Sequence, residues 1–175
     1  MRNKASITLF ELALCAIYGS LLLAGKVILE AFPNIHLVGM FTVLLTFVYR
    51  FKALISIYVF VLLSGIIYGF GIWWWPYIYI WAVLWAITML IPKTISKKWA
   101  MIVFPIVCSL HGFLYGTLYA PFQALAFGFN LKQTIAWSIA GIPYDIIHGV
   151  SNFALGLLIW PLSQAIIKAH KYIHK

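Results

Sequence analysis

Carboxylates are almost missing from this chain. Among 175 residues there are three, Glu11, Glu30 and Asp145, against twelve Lys and Arg, and only 9% of residues carry charge at all. A soluble domain has roughly a quarter of its residues charged, so the composition excludes an ordinary globular protein in water. Cysteine is scarce too. Cys15 and Cys108 both lie inside apolar runs with no metal-ligand spacing around them, which reads as two buried thiols and offers no metal site. The phosphate-cradling pattern GxxxxGK[ST] is absent. The net charge of +9 raises nucleic acid as a partner, but such a domain sets its Lys and Arg on one solvated face among ordinary polar residues. Here they punctuate apolar runs.

What is present is hydrocarbon. With 65% hydrophobic residues and a mean hydropathy of +1.02, the chain reads as an integral membrane protein, a single membrane-embedded domain over residues 1–175. Six apolar stretches are long enough, or nearly so, to cross about 30 Å of lipid. They run from about Ala5 to Ala24, His36 to Tyr49, Ala53 to Phe70, Tyr77 to Ile91, Ala100 to Phe127 and Pro143 to Ile167. The first follows a short basic leader without a small-residue cleavage site, so it is expected to be retained. Several are shorter than about 20 residues and must lean on their neighbours. The expectation is an all-α, compact six-helix transmembrane bundle.

Basic residues orient it. Arg2 and Lys4, Arg50 and Lys52, Lys93, Lys97 and Lys98, and Lys168, Lys171 and Lys175 fall on one side if the count is six; only Lys26 and Lys132 fall on the other. Lys and Arg collect on the cytoplasmic side, so both termini are predicted to be cytoplasmic.

The outer side then carries three unusual loops. The first, Gly25 to His36, holds Lys26, Glu30, Asn34 and His36 in an apolar context and is a candidate lid. The second stacks Trp73, Trp74 and Trp75 before Pro76, either as an interfacial aromatic belt or as a wall for a planar ligand. The third is expected from Gly128 to about Ile142, with the last helix starting at Pro143, because the residue before proline avoids helical angles and proline suits a first helical position.

In that last helix, Asp145, His148 and Asn152 stand at i, i+3 and i+7, along one face. Asp145 in a first turn can cap its own helix's N–H groups. A stripe of three polar groups needs more than a cap, however, and must face the bundle interior or a watery cavity, since a charge in lipid costs on the order of 3 kcal/mol. The fifth helix offers an opposite wall, His111, Tyr115 and Tyr119 at four-residue spacing, beside the small residues Gly112, Gly116 and Ala120. Such groups serve either as interhelical hydrogen-bonding glue or as ligand contacts. The first helix presents Ala16, Ser20 and Ala24 at four-residue spacing, a face for ordinary packing or for a partner helix.

Taken in order, "GKVILEAFPNIHLVGMF", "YVFVLLSGIIYGFGIWWWPYIYIW" and "GIPYDIIHGVSNF", with the short length and six spans, resemble the substrate-binding S components of energy-coupling factor transporters, bacterial vitamin-uptake systems of the ABC type. The resemblance covers most of the chain. It implies a multi-pass protein of the bacterial cell membrane that binds a water-soluble vitamin or related micronutrient near the outer face, closed by the first loop. It further implies a transmembrane coupling subunit and a pair of cytoplasmic ATPases as partners, with no cofactor and no catalysis in this chain. Family pockets draw on the first loop and later helices, which points to Lys26, Glu30, Asn34, Trp74, Tyr115, Asp145, His148 and Asn152. His36, His111 and Tyr119 complete the candidate substrate contacts. The family docks its coupling subunit on an AxxxA face; Ala16, Ser20 and Ala24 are the nearest match, with serine in the middle.

Three other classes compete. A self-sufficient secondary transporter or channel would show internal repeats or a polar path across the bilayer, whereas the polar residues here cluster toward the outer half. An intramembrane enzyme would use Asp145 and His148 as acid and base, but no serine or cysteine nucleophile or second carboxylate accompanies them. A structural membrane subunit would need neither for a ligand.

Overall fold

A computed structural model describes residues 7–173. Arg2, Lys4 and Lys175, and the side chain of Lys171, lie outside the described set. Within it the chain is all-helical, with no strand.

Eight α-helices follow one another: α1 (Leu9–Ile28), α2 (Val38–Tyr49), α3 (Ala53–Tyr68), α4 (Tyr77–Met89), α5 (Lys97–Phe113), α6 (Tyr115–Phe127), α7 (Leu131–Gly156) and α8 (Ile159–Ile173). Short 3-10 turns at Arg50–Lys52 and Ile72–Trp74 join α2 to α3 and lead into α4. Four segments among the described residues are long and apolar enough to cross a membrane: Leu9–Ile28, Val38–Tyr68, Ile72–Met89 and Lys97–Phe127. The pair Leu131–Gly156 and Ile159–His170, bent by 45°, makes a fifth if it is one span. Large apolar side chains such as Ile66, Leu110, Leu125 and Ile139 are exposed around the outside, and a surface of this kind suits a multi-pass membrane protein.

Contacts fix the direction of each helix. Lys52 pairs with Glu11, Gly19 packs on Val59 and Lys26 lies over Tyr68, so α1 and α3 run parallel. Gly25 meets Leu37 while Tyr18 meets Tyr49, which sets α2 antiparallel to both. The reversal from α2 to α3 occurs at Arg50, whose φ of 57° is left-handed. Its guanidinium donates to the carbonyls of Ile91 (3.0 Å) and Met89 at the end of α4, satisfying acceptors a helix end leaves open. A strained backbone is thereby held by its own side chain.

The tightest packing is between α5 and α7. A Cβ on Gly112 would lie 2.8 Å from Gly149 Cα, and one on Gly156 would lie 2.6 Å from Pro105 Cα. Only glycine permits backbones to approach so closely. The core proper gathers Leu22, Leu44, Ile57, Phe60, Trp81, Leu84 and Phe104, all at most 2% exposed.

One boundary differs from the sequence reading. The last long helix starts at Leu131, not Pro143: Asn130 caps it, accepting the Gln133 N–H (3.0 Å) while Gln133 Oε1 accepts the Asn130 N–H (2.9 Å). This reciprocal capping box outweighs the proline, which costs one interior hydrogen bond. The expected third loop shrinks to three residues, 128–130, led by Gly128 at φ 66°.

Candidate functional site

Among the described residues, two of the cavities open at opposite ends. The larger, about 1210 Å3, lies at the end bearing Arg50, Lys52 and Lys93, between α1, α2 and α8. Its polar groups are already bonded to protein. Lys52 Nζ meets Glu11 Oε1 at 2.5 Å, Tyr49 Oη lies 2.7 Å from Tyr18 Oη and 2.8 Å from His170 Nε2, and Lys93 donates to Val48 O at 3.3 Å. Pairing of this sort holds helices together and leaves little for a guest.

The smaller cavity, about 240 Å3, has the opposite character. Residues of the Leu29–Leu37 connector roof it, including Glu30, Phe32, Asn34 and His36; Lys26, Tyr77, Tyr115 and His148 complete the lining. Asn34 turns the roof back toward the bundle with φ 61°, a left-handed angle asparagine tolerates. Ser151 Oγ of α7 sits 3.4 Å from the Asn34 carbonyl and 3.0 Å from His148 O, tethering the roof to the helix beneath it.

Below the cavity lies a continuous cluster of rings. His36 meets His148 at 4.6 Å between centroids and Trp81 at 5.7 Å; Tyr115 meets His148 at 4.8 Å; Trp81 meets His111 at 5.6 Å. His111 Nε2 lies 3.1 Å from the Ile80 carbonyl, and a carbonyl only accepts, so Nε2 carries the proton and Nδ1 is an acceptor. The buried atoms His36 Nδ1, His148 Nε2, His111 Nδ1, Trp81 Nε1 and both amide atoms of Asn152 have no hydrogen-bond partner in the protein. Each such group costs about 1–3 kcal/mol when left unsatisfied in an interior. Five neighbouring residues carry such open valences, and Thr42 and Ser64 carry one each; proteins leave few buried polar groups in this state, so the cluster calls for an explanation. His36, in the connector, is neutral at physiological pH: burial, with lesser contributions from neighbouring His111 and Lys26, holds its pKa down to about 4.

At the mouth, Lys26 Nζ stands 3.9 Å from the centroid of the Tyr68 ring, 5.2 Å from Trp73 and 5.8 Å from Tyr77. Glu30 is exposed and accepts the Tyr68 hydroxyl at 3.3 Å.

Of the residues singled out in the sequence, Lys26, Glu30, Asn34, His36, Tyr115 and His148 meet at this cavity. His111 and Asn152 lie in the layer beneath, Asn152 against Gly39 of α2. Tyr119 reaches away to donate to Trp73 O (2.8 Å) and stacks on Trp137. Trp74 donates its indole N–H to Val61 O (2.7 Å) and packs over Gly65, bracing the α3 to α4 turn. Asp145 is a cap, but of a different helix from the one expected. Its Oδ1 accepts the Gly116 N–H at 3.0 Å, in the first turn of α6, where the chain breaks at Leu114. It is not among the lining residues. Two participants escaped the sequence reading, Tyr77 and Trp81, which extend Trp73 of the expected belt or wall into a four-residue-spaced ladder with centroids 5.3 and 5.7 Å apart. That spacing was visible, hidden within an aromatic-rich run.

Among the described residues no group of three or more His, Cys, Asp or Glu could hold a metal ion. No protein-family model, curated protein or solved structure matches this chain.

Proposed function

We propose that this chain is the substrate-capture subunit of an ATP-driven uptake system for a water-soluble vitamin or related micronutrient, an S component of the energy-coupling factor type. One observation carries the reading: a roofed cavity at one end of an apolar bundle, floored by buried polar atoms with no protein partner. Polar valences inside a membrane protein serve a ligand or a pathway. At the opposite end the polar groups lining the larger cavity are bonded to one another, which fits a binder that takes its ligand from one side and needs a partner to release it.

In this reading the six alternating passes, α1, α2, α3, α4, α5 with α6, and α7 with α8, are six spans of a bacterial cell membrane. Both termini are cytoplasmic, and the 240 Å3 cavity faces outward. Energy comes from a separate pair of ATPases through a membrane coupling subunit. Ala16, Ser20 and Ala24 form an exposed small-residue strip on α1, with Ser20 Oγ turned back onto Ala16 O at 3.0 Å. That leaves a smooth surface for a coupling helix.

Uptake by cells making this chain with and without the coupling module tests the proposal. Accumulation of a vitamin should require both, and Ala16→Leu should abolish accumulation while leaving binding intact. Accumulation that is independent of the ATPases would overturn it.

A further inference from the structure

The cavity is small. At about 240 Å3 it falls below the 300–1,000 Å3 of pockets for drug-sized ligands and equals about eight liquid-water volumes. It suits a molecule of roughly ten non-hydrogen atoms. Its sides are rings: Tyr77, Tyr115, His36 and His148. Aromatic walls favour a flat, partly apolar guest.

The ends of the cavity differ in charge. The floor carries two imidazoles, His36 and His148, whose Nδ1 and Nε2 respectively are buried and without protein partners. The mouth offers Lys26, a half-buried ammonium whose neighbours are ring faces. Among the described residues the ion pair formed is Lys52 with Glu11, so Lys26 has no carboxylate within pairing distance. Glu30 on the same connector is exposed and engaged by the Tyr68 hydroxyl. A cation seated on ring faces keeps its N–H donors for an acceptor, and the strongest acceptor is an anion.

Resting on the capture reading above, we infer that the ligand is a small heteroaromatic carboxylate, about one ring in size, with its carboxylate on Lys26 and its ring nitrogen or oxygen on His36 and His148. The two ends are complementary to two ends of one molecule. A neutral amide of the same shape would fill the rings and the floor but leave the Lys26 ammonium with only Glu30, beyond pairing distance, as an opposite charge.

Matched acid and amide pairs test this on the full-length protein in detergent: pyridine-3-carboxylate against pyridine-3-carboxamide, and the corresponding pairs on pyrimidine, pyrazine and imidazole. Retention in native mass spectrometry and thermal stabilisation are read together. At least one acid should bind about tenfold to a hundredfold more tightly than its amide. Lys26→Met keeps an unbranched side chain of similar length and removes the ammonium that lies over Tyr68, so in that variant the acid and amide should bind equally. An amide that binds as well as its acid, a preference that survives Lys26→Met, or no acid bound from any pair would overturn the inference. The capture reading fails separately. A neutral or cationic molecule that co-purifies stoichiometrically defeats the carboxylate assignment and leaves capture standing, whereas a protein that retains no small molecule of any class defeats both.

Discussion

The two ends of the bundle carry similar side chains and use them differently. At the basic end, Tyr18, Tyr49, His170, Lys52, Glu11 and Arg50 close on one another or on helix-end carbonyls. At the other, His111, His148, Trp81 and Asn152 sit deeper, fully buried, and with His36 they keep polar atoms unbonded. Histidine and tyrosine in an apolar interior therefore say nothing by themselves. What separates scaffold from site is whether donors and acceptors are used up inside the protein, because an unused one is costly and persists only where something else has shaped the chain.

The contrast is broken most severely by forcing α5 and α7 apart. Gly112→Val places new atoms against the backbone of Gly149 and His148, and backbone cannot swing aside as a side chain can. We expect a loss of about 3 kcal/mol or more, seen as a collapsed thermal transition and loss of monodisperse protein; a near-wild-type transition would mean the helices are not in backbone contact.

Acid should act next, at the cavity end. His36 is neutral when folded with a pKa near 4, against about 6.5 when unfolded. Above pH 6.5 both states are neutral and the histidine costs nothing. As pH falls from 6.5 toward 4 the unfolded chain binds a proton that the folded one refuses, so stability drops, by on the order of 2 kcal/mol near pH 4.5. Thermal melts across that window check the sign; His36→Phe should flatten the dependence.

The sharpest form of the comparison pairs one substitution at each end. His148→Phe removes an unpartnered nitrogen, so it should lower ligand retention at least tenfold while leaving the melting temperature unchanged or raised. Tyr49→Phe removes a hydroxyl bonded on both sides, so it should cost about 1 kcal/mol of stability and leave ligand retention alone. The reverse pattern would exchange the roles of the two ends. Asp145→Asn gives the smallest effect. It weakens a charge-assisted cap on Gly116 by up to about 1 kcal/mol without touching the cavity lining. A large loss of binding with stability intact would place Asp145 against the ligand after all.

Much of this was readable in the chain. The apolar composition predicts an all-helical membrane-suited protein, and Lys26, His36 and His148, scattered over more than a hundred residues, were singled out as polar groups in apolar runs. They do meet. Two kinds of information were not carried by pattern. Pro143 reads as a helix start, yet the capping box Asn130 to Gln133 begins the helix twelve residues earlier; the "NLKQ" signal was present and the proline masked it. Asp145 reads as a member of a polar stripe, yet the break at Leu114 in a different helix supplies its partner, and no local periodicity reports where another helix will break. Trp73 and Trp74 differ by one residue and by their whole role, which only the turn at Ile72–Trp74 decides.

The most direct test is native mass spectrometry of the wild-type protein and His148→Phe, both purified from cells grown in rich medium. The account predicts a stoichiometric small molecule on the wild type that is lost from the variant while the variant remains folded. A wild-type protein that carries nothing and is stabilised by nothing added, or a molecule held equally by both, would contradict the claim that the unpaired end of this bundle is a binding site.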